Sequence, residues 1–181
     1  RNPEGWMLDF STKLKWNYCH GLECQAFLDV YDRYGGDYLY KYVKQFADTM
    51  INENGRIYGY KKTNYNLDHV NSGKILFRLY EREKDPRYKI AMDTLRAQLA
   101  SQPRTSDGGF WHKKIYPYQM WLDGIYMGSP FYAQYAATFN EPEDFADVVS
   151  QFLIIAKHTY DKKTGLYRHA WDEIKALPWS D

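Results

Sequence analysis

The feature that most restricts the fold is a pattern of helices and glycine turns that comes round three times. Apolar residues at helical spacing mark helices starting near Asp37, Pro86 and Pro142. Each is followed by a glycine-centred turn, at Gly55, Gly108 and Gly165. The period is about 50–57 residues, the length of one repeated supersecondary unit. Leu22, Ala26, Phe27, Val30, Tyr31 and Tyr34 mark a first helix, closed by Gly35-Gly36. Leu39, Tyr42, Val43, Phe46, Ala47 and Met50 mark a second, with Asp37 as its N-cap. A third is expected from about Leu67 to Arg82. The fourth opens at Asp85-Pro86, a cap followed by proline at the first helical position. A fifth fits Asp123 to Phe139, and Glu141-Pro142 opens a sixth. Residues 161–172 then read as a hairpin around Thr164-Gly165.

Helical pairs of this kind suit an open solenoid or an α/α toroid. Solenoids keep short, uniform turns, whereas the loops over residues 52–66 and 101–119 are long, irregular and aromatic. They favour the toroid. The expected class is all-α, an (α/α)6 toroid of which this chain is the N-terminal half, three helical hairpins in one domain over residues 1–181. Such an arc leaves inner apolar faces in water, which is unfavourable. A missing C-terminal half or a second chain is therefore expected to complete the barrel. The ending Pro178-Trp179-Ser180-Asp181, directly after a hairpin, fits an interruption.

The charge balance of 24 Lys+Arg against 23 Asp+Glu excludes a broad basic surface for nucleic acid and an acidic solvating tail. Charged residues are 26% and mean hydropathy is −0.71, ordinary for a soluble globular chain. No apolar run approaches the ~18 residues of a membrane helix. The chain opens at Arg1 rather than Met, as it would after loss of a leader. A cytoplasmic location is expected, with the periplasm as the alternative. Cys19 and Cys24 are five apart on one helix and point away from each other, so both are expected as free thiols. The 18 Tyr, 9 Phe and 6 Trp exceed what one core of this size requires. Tyr and Trp pair a flat apolar face with a polar tip, which suits hydroxylated rings. A thick core edged with tyrosine would use them equally well.

Polar chemistry concentrates between Gly108 and Phe131. Asp123 lies beside Trp121, where a long loop becomes a helix. Desolvation there would favour a protonated carboxyl able to act as a general acid. The same position suits an N-cap, which would favour the carboxylate. Asp68 occupies the equivalent place one repeat earlier, with the same two readings: a carboxylate coupled to Asp123 or an independent cap. His112-Lys113 and Arg168-His169-Ala170-Trp171 lie in loops and either receive a carboxylate substrate or form solvated tips. The histidines include no His-x-x-x-His pair, and no phosphate-binding glycine loop or nucleophile elbow is present. Neither a metal nor a cofactor is expected.

The block Trp121-Leu122-Asp123-Gly124-Ile125-Tyr126-Met127 follows Pro103-Arg104-Thr105, Gly108-Gly109-Phe110-Trp111-His112-Lys113 and Tyr116-Pro117. It is preceded by Asn66-Leu67-Asp68 and followed by His158-Thr159-Tyr160-Asp161 and by residues 164–172. This order closely resembles glycoside hydrolase family 105, the unsaturated rhamnogalacturonyl hydrolases, over almost the whole chain. The resemblance implies an (α/α)6 barrel about twice this length. It also implies hydration of the C4=C5 double bond that pectin lyases leave at a non-reducing end, with release of rhamnose or another aglycone. Asp123 would protonate the alkene and then activate water. Asp68 would orient sugar hydroxyls and help keep Asp123 protonated. Trp121 would stack on the sugar ring. His112, Lys113, His169 and Trp171 would line the site, with Tyr18 and Trp16 of the first helix as further contacts. The partner implied is an unsaturated pectin-derived disaccharide. An unsaturated glucuronyl hydrolase acting on glycosaminoglycan fragments, and a sugar-binding piece without turnover, are the other readings. Family members place residues that meet the uronate carboxylate in their second half.

Overall fold

The Asn17 side chain caps the first helix, accepting the Cys19 N–H at 3.1 Å, and α1 runs over Tyr18–Tyr34. It ends where Gly35 and Gly36 take φ of +77° and +103°, a left-handed turn that favours glycine. Gly36 is therefore the N-cap of α2 (Asp37–Met50), and Asp37 falls inside the first turn rather than on the cap. The buried stripe of α1 is His20, Gly21, Cys24 and Leu28. Leu22 and Val30, apolar markers of the helix, stand 50% and 44% exposed. Trp16 precedes α1 and is buried, its indole donating to the His69 carbonyl at 2.7 Å. Both cysteines are free, and burial with nearby Glu23 pushes the Cys24 thiol up to about 12.

The third expected helix is two helices, α3 (Leu67–Asn71) and α4 (Lys74–Glu83), separated at Ser72-Gly73. The cause is the start of α1, which lies against the break. Ser72 Oγ donates to the Asn17 carbonyl at 2.7 Å and Asn71 Nδ2 to the Tyr18 carbonyl at 3.1 Å. A Cβ on Gly21 would come within 2.6 Å of Ser72 Cα. No local signal at residues 72–73 carries this contact.

Helix α5 (Pro86–Ala100) begins as its sequence predicts, with Asp85 accepting the Arg87 N–H at 2.9 Å. Arg87 and the Tyr88 hydroxyl both donate to Asp48 of α2, at 2.9 and 2.8 Å. Val43, Phe46, Met50, Ile75, Leu76, Leu79, Met92 and Leu95 are wholly buried around this junction. They form the core of one unit, residues 13–60 with 68–95; the other comprises residues 61–67 with 96–179. The computed structural model describes residues 13–179. Among them no helix is long and apolar enough to cross a membrane.

In the second unit β1 (Gln119–Trp121) leads straight into α6 (Leu122–Phe139). Helix α7 (Asp144–Thr159) starts two residues later than Pro142. The intervening residues form tight turns, with the Asp144 N–H donating to Glu141 and the Phe145 N–H to Pro142. Arg96 holds this corner through Glu141 at 3.1 Å and Asp144 at 2.5 Å. The buried stripe of α7 is Val148, Gln151, Ile155 and Thr159, while Phe145, Val149, Phe152 and Leu153 are exposed. Two short ribbons follow: β2 (Tyr160–Asp161) pairs with β3 (Leu166–Tyr167), and β4 (Ala170–Asp172) pairs back onto β1. Gly55, Gly108 and Gly165 take φ of +73°, +93° and +73°. Each closes a small antiparallel loop, bridged at Ile51–Ile57, at Arg104–Phe110 and by β2–β3. The three-fold recurrence read in the sequence is thus present as three glycine-turned hairpins.

Two predictions follow from the first unit. Gly21→Ala should lower unfolding free energy by about 1–3 kcal/mol, because backbone must move to admit the methyl group; denaturant titration measures it. Lys74 is buried, and desolvation lowers its pKa to about 8 from the ordinary 10.5. Between those values the unfolded chain holds a proton that the folded chain has released. Stability contributed at this site therefore rises with pH across that window. Lys74→Met should flatten the rise, as read from urea midpoints between pH 7 and 10.5.

Candidate active site

The site grows from the pairing of β1 with β4, in which Gln119 faces Asp172, Met120 faces Trp171 and Trp121 faces Ala170. Alternation along a strand puts Gln119 and Trp121 on one face and Met120 with Trp171 on the other. The Trp121 indole accordingly donates to Gln119 Oε1 at 3.0 Å. Trp171, on the opposite face, lies flat on His158 with centroids 3.5 Å apart. Trp121 and Trp171, neighbours in the expected site, are therefore parted by the pleat.

Trp121 is fixed on several sides. It stacks on His112 with centroids 4.6 Å apart and 12° between planes, and on Tyr116 at 5.0 Å and 15°. His169 meets it tilted at 5.5 Å. The Leu122 N–H donates to the His169 carbonyl at 2.7 Å, which ties the later hairpin to the start of α6.

The N-cap of α6 is Trp121, with extended backbone and no side-chain cap bond. Asp123 is the second residue of the helix, so the capping reading gives way. One of its oxygens, Oδ1, is buried and accepts no hydrogen bond among the described residues. His169 Nε2 is 3.6 Å from Oδ1, and His112 Nε2 is 3.8 Å from Oδ2. Both are beyond hydrogen-bond length. The carboxyl group thus sits between two imidazoles without being engaged by either, and 37% of its side chain is open. A group held this way is able to exchange a proton with a bound molecule.

His112 is not a solvated loop tip. It is 1% exposed, with its N–H donating to the Gln119 carbonyl and its own carbonyl accepting the Leu67 N–H. Lys113, the next residue, holds its ammonium over the Tyr116 ring, 5.8 Å from the centroid. It lines a cavity of about 380 Å³ with Thr63, Asn64, Asn66, Lys114 and Ile115. A larger cavity of about 640 Å³ is lined by Trp121, Arg168, His169, Ala170 and Trp179. His169 is exposed and joins this cavity to Asp123. In the other unit, Asp68 is buried in the first turn of α3, and Tyr18 opens α1, 39% exposed.

Sequence reasoning missed the supports. Tyr116 and Gln119 hold Trp121. Gln102 Nε2 donates to the carbonyls of Tyr65 and Trp111, both at 2.8 Å, and Gln98 Nε2 donates to Asn66 and to Gln102 Oε1. Two glutamines four apart, continuing the apolar line of Leu95 and Leu99, were the available signal. Gly124 was legible only as part of the block; a Cβ there would stand 2.9 Å from His112 Nδ1. Gly124→Ala should push the His112 ring off Trp121. The expected result is about 1–3 kcal/mol of lost stability together with altered tryptophan fluorescence, checked by denaturation followed at the indole emission band.

Known proteins resemble this chain in fold. A glycoside hydrolase from family 105 of C. acetobutylicum ATCC 824 is 43% identical, with a TM-score of 0.90 over 96% of this chain and 48% of that one. A possible member of family 105 from Salmonella enterica serovar Paratyphi A is 25% identical, with a TM-score of 0.77 over 87% and 41%. Another possible member, from Klebsiella pneumoniae, is 21% identical with a TM-score of 0.79 over 92% and 45%, a likeness of fold. The chain spans about half the length of the solved structures it matches, and its class is the all-α class expected for half of an (α/α)6 toroid. The sequence model of Glycosyl Hydrolase Family 88 matches residues 1–181 throughout, and the chain belongs to that family.

Proposed function

We propose that the protein hydrates the C4=C5 double bond of an unsaturated galacturonyl-rhamnose and so releases the aglycone sugar. The observation that carries this reading is Asp123, a carboxyl flanked by two imidazoles, one of which, His169, also lines a cavity of about 640 Å³ with Trp121. The enol-ether bond of such a substrate is electron-rich at C4. Asp123 gives its proton to C4, and the positive charge falls on C5 and the ring oxygen, where the new carboxylate stabilises it. The same carboxylate then takes a proton from water as its oxygen bonds to C5. The product is a hemiketal that opens and expels the aglycone, and Asp123 ends protonated as it began. The family likeness gives Asp68 the role of orienting the sugar hydroxyls. Trp121, held by Tyr116 and His112, supplies a rigid wall beside the reacting ring.

Loss of ultraviolet absorbance of the conjugated double bond reports the reaction directly. In the intact polypeptide Asp123→Asn should lower kcat by about 10²–10⁴-fold while the disaccharide still binds. Asp68→Asn should lower it less and raise KM. An Asp123→Asn protein turning over at the wild-type rate removes Asp123 as the proton donor. Relative rates on galacturonyl-rhamnose and on glucuronyl disaccharides from glycosaminoglycans assign the substrate. Binding without any turnover marks a sugar-binding protein instead.

A further inference from the structure

Trp171 lies on the far face of the β1–β4 ribbon from Trp121, and the hydration chemistry leaves it without a task. It rests flat on His158, in the last turn of α7, with centroids 3.5 Å apart and 3° between planes. His158 Nε2 stands 2.7 Å from Asp107 Oδ2, in the turn closed by Gly108. A carboxylate only accepts, so Nε2 carries the hydrogen. The imidazole is thus held at its edge by Asp107 while its face carries the indole. Lys157 reaches the same oxygen at 2.9 Å, from a side chain 66% exposed. The strand bearing Trp171 needs such an anchor. It meets β1 through three residue pairs, and a two-stranded ribbon by itself is marginal in water. Glu173, just past the strand, adds a second tie by accepting the Ser106 N–H at 2.9 Å. His169 immediately precedes β4. Its imidazole is 68% exposed and meets Trp121 only at a tilt. Its place 3.6 Å from Asp123 Oδ1 therefore follows from where the backbone of β4 is set. His112, the other imidazole beside Asp123, is buried and held by its own packing.

We propose that Asp107, His158 and Trp171 form a positioning array: the His158 ring fixes Trp171, and with it β4, and so sets the His169 imidazole against the Asp123 carboxyl. The proposal rests on the reading of Asp123 as proton donor. The three residues act through His169 and not on the substrate. An imidazole that drifts from Asp123 changes the charge and the hydrogen-bond donor that the carboxyl meets. Misplacement by an ångström can cost about 100-fold in rate, so the array acts on kcat. KM changes little, because Trp121 is fixed separately by His112, Tyr116 and Gln119.

In the intact polypeptide His158→Leu removes both the flat polar ring and its bond to Asp107. It should lower kcat about tenfold and move KM by less than about twofold, followed by loss of the double-bond absorbance. Lys157→Gln leaves the ring and its bond in place and should match wild type. A loss of stability alone would act in any background, whereas positioning acts only through His169. In a His169→Ala protein, His158→Leu should therefore cost less than about a further twofold in kcat. A second readout needs no turnover. The His169 ring-proton resonances, displaced by the Trp121 indole beside them, should move in His158→Leu and in Asp107→Ala and stay in place in Lys157→Gln. The full tenfold loss recurring in the His169→Ala background overturns the array, as do His169 resonances unmoved in both variants. A Lys157→Gln protein as slow as His158→Leu overturns it too, since the charge on Asp107 and not the ring is then the cause. Should His158→Leu fail to fold, Asp107→Ala, altered at a side chain one-third exposed, carries both measurements. No absorbance loss by wild type on either class of unsaturated disaccharide overturns the hydrolase reading, while moved His169 resonances leave the array standing.

Discussion

The buried amide of Gln102 holds the second unit's loop in register. Its nitrogen donates to the Tyr65 and Trp111 carbonyls, and Gln98 supports it from one helical turn earlier. Those carbonyls belong to segments with little regular structure, so their bonds come from side chains or not at all. Leaving a buried carbonyl or amide unmet costs about 1–3 kcal/mol each. The His112–Leu67 backbone bond continues the same seam. His112 can be buried against Trp121 because the loop bearing it is fixed at Trp111, one residue before.

From that seam the site follows by contact. His112 sets one partner of Trp121, Tyr116 another, and Gln119 holds the indole nitrogen. An indole restrained in this way keeps its position when a ligand arrives, and little ordering cost remains. The 104–110 turn is secured as firmly. Arg104 grips Asp147 of α7 through two bonds of 2.8 and 2.6 Å, and Gln151 accepts the Phe110 N–H at 2.7 Å. A loop with few repeating backbone bonds is thereby made into a scaffold.

Much of this was legible in the residues. Asp85-Pro86 and the glycines at 35–36, 55, 108 and 165 act through local backbone preference, so their effects can be read in place. The break at Ser72-Gly73 had a local sign in its helix-weakening glycine, but the contact with Gly21 at that break joins residues about fifty apart in sequence. The choice between cap and acid at Asp123 turned on whether the helix began two residues sooner, a margin finer than propensity resolves. The family resemblance placed Trp121 and Trp171 together in one site. Which face each occupies depends on strand register, and register appears only once β1 and β4 are paired.

The β1–β4 ribbon joins two stretches that lie far apart along the chain. Asp123 rides on α6, whereas Arg168 and His169 arrive on a hairpin more than forty residues later, joined to β1 by three residue pairs. A lineage can therefore rewrite that hairpin, lengthening its glycine turn or exchanging its cations, without disturbing the helix that bears the acid. Two stretches that meet through three residue pairs are thus free to change at different speeds within one polypeptide.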